Sequence, residues 1–251
     1  EVPGMTARLK AEAVVKRFGG VTALDGVSLE VSQGAVLGLI GPNGSGKTTL
    51  LNVLSGTIRP TSGHVFLDGE RIDRMPAYRV VRAGVAKTHQ IPKPFHGMTV
   101  RENVTAAATF GAGLREGARV RDEVGRVLRL VELEPRADVP ASALTVQEKK
   151  RLEFARALAT GARFLLLDEI FAGLSPEEVR ASIEVFRRVQ AELGFGAVVV
   201  EHVMRAVLSV AHRVLVLEEG RSIAEGTPQE VVRDPAVVEA YLGQEAARAP
   251  T

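Results

Sequence analysis

VLGLIGPNGSGKTTLL, residues 36–51, passes from an apolar strand through a glycine-rich turn into a helix. Gly41, Gly46, Lys47 and Thr48 fit the phosphate-loop pattern G-x-x-x-x-G-K-[ST] in the strand-loop-helix setting it requires. Glycines let the backbone wrap phosphates without Cβ clashes. The freed N–H groups at the helix start point at an anion. Lys47 can reach the β- and γ-phosphates, and the Thr48 hydroxyl can ligate Mg²⁺. Nucleotide binding on an α/β, P-loop NTPase fold is the expectation.

The chain has 251 residues, enough for one domain with a subdomain and a large core. Its 45% apolar and 25% charged content is ordinary for a globular protein. Thirty-two basic and 30 acidic residues leave a net charge of only +2. There is no long Lys/Arg block and no aromatic-basic interleaving, so nucleic acid is not the expected ligand. The absence of cysteine excludes disulfides, Cys-ligated zinc and thiol catalysis, and fits a reducing compartment. EVPGMTARLKAEAVVKRF has no continuous apolar stretch and does not read as a signal peptide; Met5 is the expected natural start. No run approaches 18 apolar residues, so no transmembrane segment is expected.

Outward from the phosphate loop, Val14-Val15 and Val27–Val31 read as strands around a turn at Gly19-Gly20, and residues 63–72 as a hairpin at Asp68-Gly69. Residues 84–90 read as a short strand ending at Gln90, broken by Pro92 and Pro94. A helical insertion, residues 91–159, follows as a candidate subdomain. Thr99 and Glu102 make a capping box in it, Val124, Val127, Leu128 and Val131 a buried stripe, and residues 134–146 a loop. Phe164–Leu167 reads as a buried parallel strand that ends at Asp168-Glu169. Ser175-Pro176-Glu177-Glu178 opens a helix. Ala197–Val200 is a further buried strand ending at Glu201-His202, and Val214–Leu217 one that turns at Glu219-Gly220. Residues 221–251 read as a C-terminal helical tail of a single domain, 1–251.

Parallel sheets put ligand chemistry at the carboxyl ends of their strands. Asp168 there can serve Mg²⁺, and Glu169 can orient or deprotonate water. The plain alternative is an acidic loop after a core strand, which the phosphate loop argues against. His64, His89, His96 and His212 have no metal-ligand spacing.

In order, these segments resemble the nucleotide-binding subunit of an ABC transporter, from about Leu9 to Gly243. Phe18, in RFGG, matches the aromatic that stacks on adenine in that family, and Ala23 a small contact nearby. Gly41–Thr49, with Asn43, Gly44, Gly46, Lys47, Thr48 and Thr49, matches the Walker A loop. Gln90 matches the Q-loop glutamine, which contacts Mg²⁺ and water and senses the membrane subunit. Asp168 and Glu169 match Walker B and its catalytic glutamate, Ala172–Ser175 the D-loop, and His202 the switch histidine that would contact the γ-phosphate. The resemblance implies ATP with Mg²⁺, catalytic roles for Glu169, His202 and Gln90, and metal binding by Thr48, Gln90 and Asp168. It also implies a mixed sheet core, an antiparallel β part and a helical subdomain.

Three segments depart from the family pattern. Its signature usually resembles LSGGQ and binds the γ-phosphate held by the opposite subunit. Here Leu144-Thr145-Val146-Gln147-Glu148 keeps a hydroxyl at Thr145 but neither glycine, and Gln147 stands at the second. Ser175 replaces the usual D-loop aspartate, and His89 stands where an aromatic is common. A weakened trans contact and a heterodimer with a second ATP-binding subunit are expected, with a homodimer left open. AGLSPEE and VVEAYLG look like the ATP-binding subunits of branched-chain amino acid uptake systems. That resemblance implies permease subunits, an external solute-binding protein and a peripheral place at the cytoplasmic membrane face. Uptake of another small polar solute, lipid or polysaccharide export, and a non-enzymatic regulator stay open.

Overall fold

The computed structural model describes residues 7–114, 117–201 and 204–248, with side chains to Tyr241; Met5 and His202 lie outside them. Strands β1 (Arg8–Phe18) and β2 (Val21–Ser32) form an antiparallel hairpin turning at Gly19-Gly20. Next come β3 (Val36–Ile40) and α1 (Lys47–Leu54), joined by the glycine-rich loop. A second hairpin, β4 (Ser62–Leu67) and β5 (Glu70–Arg71), completes an antiparallel sheet ordered β2-β1-β4-β5. Helix α2 (Ala77–Ala83) leads to β6 (Val85–Lys87). The chain is then helical through α3 (Val100–Phe110), α4 (Ala118–Leu130) and α5 (Val146–Ala159). Strand β7 (Phe164–Asp168), α6 (Pro176–Leu193), β8 (Gly196–Val200), α7 (Met204–Val210) and β9 (Arg213–Glu218) follow. The last elements are β10 (Arg221–Gly226), α8 (Pro228–Val231) and α9 (Pro235–Arg248). The second sheet runs β10-β9-β3-β8-β7-β6 and is parallel except for β10.

The apolar runs of this sheet are continuous because both faces are covered. On β7, Phe164 and Leu166 pack toward α1 and the antiparallel sheet, while Leu165 and Leu167 pack toward α3–α6. Val198 and Val200 of β8 divide from Ala197 and Val199 in the same way. This is the period-two alternation of a pleated strand. The stripe Val124, Val127, Leu128 and Val131 is buried, in one core with the sheet.

Several boundaries differ from the sequence reading. Strand β6 stops at Lys87, three residues before Gln90, because the chain leaves β7 there and Thr88 makes the last backbone bond, to Leu166. Residues 134–146 contain two 3₁₀ turns, Glu134–Arg136 and Ala141–Ala143. The stretch from 221, expected to open a helical tail, begins instead with β10. The Glu219-Gly220 turn folds it back onto β9 as a hairpin, and helix starts only at Pro228. Capping boxes are present at Thr99/Glu102, Thr145/Glu148, Ser175/Glu178 and Thr227/Glu230. No helix among the described residues is long and apolar enough to cross a membrane.

Asn103, fully buried on α3, fastens the irregular segment before that helix. Its Oδ1 accepts from Phe95 N–H at 2.8 Å, and its Nδ2 donates to the carbonyls of Phe95 (3.1 Å) and Thr99 (2.9 Å). Asn103→Ala strands these buried groups and is expected to cost about 1–3 kcal/mol. Thermal unfolding should then fall by roughly 2–4 °C per kcal/mol for a chain of this size.

Candidate nucleotide site

The carboxyl ends of β3, β6, β7 and β8 lie side by side in the parallel sheet, and the chemistry-bearing residues follow them. After β3 the loop turns sharply into α1. Gly46 caps that helix with φ at 101°, and a Cβ there would sit 2.5 Å from the Ala23 carbonyl oxygen. Only glycine allows this turn so close to β2. Lys47 curls back and donates through Nζ to the carbonyls of Gly41 (2.7 Å) and Pro42 (2.6 Å), and to Ser45 Oγ at 3.3 Å. Burial lowers the Lys47 pKa from its ordinary value, while the charges of Glu169 and Asp168 oppose that fall. Tyr241 of α9 packs against the apolar cluster that includes Ile40, the residue before the loop. Burial raises its phenol pKa, opposed by a hydrogen bond with the backbone of Gly41.

A cleft of about 240 Å³ is lined by Ala23, Asn43, Gly44, Ser45, Gly46, Lys47, Thr48, Thr49, Gln90 and Glu169. All but Ser45 were expected from sequence. Asp168 lies beneath this lining, 1% exposed, with Oδ2 3.5 Å from Lys87 Nζ. Its N–H donates to Thr88 Oγ1 at 3.0 Å. Lys87 also donates to Asn52 Oδ1 at 2.6 Å.

Glu169 takes a left-handed backbone, φ 53°, uncommon for a residue with a side chain. Its N–H donates to the Val200 carbonyl at 2.9 Å, and its carbonyl accepts from Lys150 Nζ. Its carboxylate accepts from Gln90 Nε2 at 2.9 Å. Glu201, at the end of β8, accepts from Phe171 N–H at 2.5 Å.

The segment after β6 is gripped by α5. Glu153 Oε1 accepts from Lys93 N–H (2.9 Å), and Arg156 donates to the Lys93 carbonyl (2.9 Å) and to Glu153 (3.0 Å). The Arg156 guanidinium also lies 5.1 Å from the Phe95 ring centroid. His89, expected to pack as a planar ring, is half exposed with Nδ1 3.3 Å from Glu153 Oε1. A polar ring at this position turns to a carboxylate rather than to an apolar wall.

Three expected site residues stay apart from the cleft. Thr145 caps α5, and Gln147 donates to the Glu178 carbonyl at 3.4 Å. Phe18 is 50% exposed at the end of β1, with the Lys16 ammonium 4.9 Å from its ring centroid. His202 lies outside the described residues. Lys87, Thr88, Lys150 and Glu201 were given no part in the site by the sequence reading. The signal for the first and last was available: polar residues ending apolar strands, in VAKT and VVVE.

The donor set suits Mg²⁺, which binds through one or two carboxylates and keeps its other positions for phosphate oxygens and water. A hydroxyl at Thr48, an amide at Gln90 and the carboxylate of Asp168 fit such an ion beside a triphosphate.

The ABC transporter family profile matches residues 24–172, more than half of the chain. This chain belongs to the ABC transporter family. A second profile, the branched-chain amino acid ATP-binding cassette transporter, matches residues 221–247 of this ABC subunit. It is 35% identical to the high-affinity branched-chain amino acid transport ATP-binding protein BraF of Pseudomonas aeruginosa, over 94% of this chain and 98% of that protein. It is 34% identical to the lipopolysaccharide export system ATP-binding protein LptB of Acidithiobacillus ferridurans, over 96% and 99%. A crystal structure of an ATP-binding cassette of an ABC transporter in its ADP conformation superposes with a TM-score of 0.85 at 30% identity, covering 95% of this chain and all of that one. This ABC subunit is thus an ATPase that uses ATP with Mg²⁺, closely related to the branched-chain amino acid uptake systems.

Gly46→Ala should weaken ATP binding at least roughly tenfold, since the added Cβ forces the loop off the Ala23 carbonyl. Isothermal titration with ATP, beside a melting curve, would separate lost binding from lost fold.

Proposed function

We propose that this chain hydrolyses ATP to drive import of branched-chain or similar hydrophobic amino acids through a partner permease. The observation that carries the substrate class is the profile match over β10, α8 and α9, supported by the relatives named for branched-chain amino acid transport. One relative is named for lipopolysaccharide export, and the C-terminal profile favours import over that reading.

The residues divide the work as follows. Loop amides of residues 43–48 and Lys47 bind the phosphates. Charge-assisted bonds from Lys47 to phosphate oxygens outcompete those it now makes to neutral carbonyls. Thr48, Gln90 and Asp168 would hold Mg²⁺, which when bound offsets charge on the β- and γ-phosphoryl oxygens. Glu169 lines the cleft with its carboxylate oriented by Gln90, and it takes a proton from the attacking water as the bond to the ADP oxygen breaks. His202 would hold the γ-phosphate. Phe18 and Ala23 would flank the adenine.

Thr145 and Gln147 do not line this chain's own cleft, which supports a role at a partner's nucleotide. Without signature glycines that contact is weakened, so the partner is a second ATP-binding subunit with its own signature. Ile91, Phe95 and Met98 are exposed apolar residues on the segment held by α5, and would border the permease. A solute-binding protein outside the membrane completes the system, and the chain works at the cytoplasmic membrane face.

Glu169→Gln should slow ATP hydrolysis by roughly 10²–10⁴-fold while ATP still binds and the closed dimer accumulates. Phosphate release and gel filtration with ATP measure both effects, and a normal rate would remove Glu169 from its role. Gln147→Gly should raise the steady-state rate of the assembled complex; an unchanged rate would show that the trans contact is not limiting.

A further inference from the structure

Helix α5 meets three functional segments along one rod. Thr145 and Gln147 stand at its N-terminus, Glu153 and Arg156 grip residues 89–95, and Lys150 lies between them. Lys150 is 9% exposed, and its Nζ donates to the main-chain carbonyl of Glu169. Burying an ammonium is costly, and an apolar chain of the same length would fill the space without that cost. Burial lowers its pKa, and the charges of Glu201, Glu169 and Asp168 oppose that fall.

The contact falls on a backbone that needs holding. Glu169 sits in the left-handed region, which a residue with a side chain occupies only when its surroundings determine it. Val200 fixes its N–H, while Lys150 and, at 3.4 Å, the Ala172 N–H hold its carbonyl, so both peptide planes beside the side chain are set. Glu201 pins Phe171 N–H two residues on. Phe171 in turn meets Phe186, whose ring also meets Phe154 of α5.

We propose that Lys150 is a positioning residue for hydrolysis. Fixed on α5, it holds the main chain of Glu169 in its left-handed turn and so sets where the carboxylate meets the cleft. The helix that presents Thr145 and Gln147 is thereby tied to the group that activates water. This rests on Glu169 being that group.

The test uses the transport complex that copurifies with the full chain, carrying Lys150→Met, Lys150→Arg or Glu169→Gln. Lys150→Met should lower kcat for ATP hydrolysis roughly 10- to 100-fold, the scale of a displaced catalytic group. KM and the Kd for ATP should stay within about twofold, the pattern of a defect confined to the chemical step. Lys150→Arg, which keeps a buried cationic donor, should recover most of the rate. A merely structural lysine would instead lower melting temperature, ATP binding and kcat together, and that result would overturn the proposal. So would a wild-type kcat in Lys150→Met. Should that variant not fold, Lys150→Gln is read by the same kcat and KM split, and a wild-type kcat there overturns the proposal equally. An inactive Glu169→Gln beside a fully active Lys150→Met sinks the Lys150 role alone, whereas an active Glu169→Gln sinks the reading of Glu169 beneath it.

Discussion

Charge held out of water at the ends of apolar strands is the constraint on which the site depends. Among the described residues, Lys47, Lys87 and Lys150 meet Asp168, Glu169 and Glu201 there, all largely buried. In such surroundings unpaired charge is expensive and paired charge is strongly directed. The fold meets the cost with hydrogen bonds: Lys47 to loop carbonyls, Lys87 to Asn52, Lys150 to Glu169, Glu201 to Phe171 N–H. The balance of charge is close to even before any phosphate enters. A triphosphate therefore perturbs a prepared set of partners, and Lys47, bonded to neutral acceptors, is the cation best placed to exchange them.

The same buried set makes the sheet edge and the helices one mechanical body. Phe154 of α5, Phe186 of α6, Phe171 and Phe195 pack, mostly edge to face, at centroid distances of 6.0–6.4 Å. Such aromatic packing adds to simple area burial and has defined geometry. A close-packed interior transmits displacement rather than absorbing it. A shift of α5 thus moves the loop after β7 through Lys150 and Phe154, and the segment after β6 through Glu153 and Arg156. Two-way coupling between a nucleotide and a permease needs such a connection, since linkage acts equally in both directions.

Much of this was legible in the sequence, for reasons that can be named. The phosphate loop is a local pattern, and its spacing fixes its geometry. Continuous apolar runs gave β3, β7, β8 and β9, because strands covered on both faces carry no polar alternation. Ser/Thr-x-x-Glu spacings gave the starts of α3 and α6. What stayed hidden depends on tertiary partners. Lys150 looks like one charge in the run Lys149-Lys150-Arg151, and only the fold shows which of them turns inward. Glu201 read only as a strand end and Lys87 as mid-strand before Gln90, until the sheet order brought the ends of β6, β7 and β8 together. Strand β10 was missed because Ser222, Ala224 and Gly226 carry little β-propensity, and its pairing with β9 supplies what local preference does not.

Two of the departures from the family pattern, in the signature and at Ser175, prove to be neighbours in space. Ser175 caps α6 through Glu178 N–H, and the main-chain carbonyl of that same Glu178 accepts from Gln147 on α5. The residue that replaced a signature glycine is therefore turned toward the first turn of α6, which the residue that replaced an aspartate begins. One altered surface results, built from the starts of two helices. An aspartate at 175 would add a fixed charge there, and a glycine at 147 would remove the bridge between the helices. A partner subunit docked there would meet both changes in a single contact, and their effects on it would then not add independently. Physically, the pair is one altered surface rather than two separate changes.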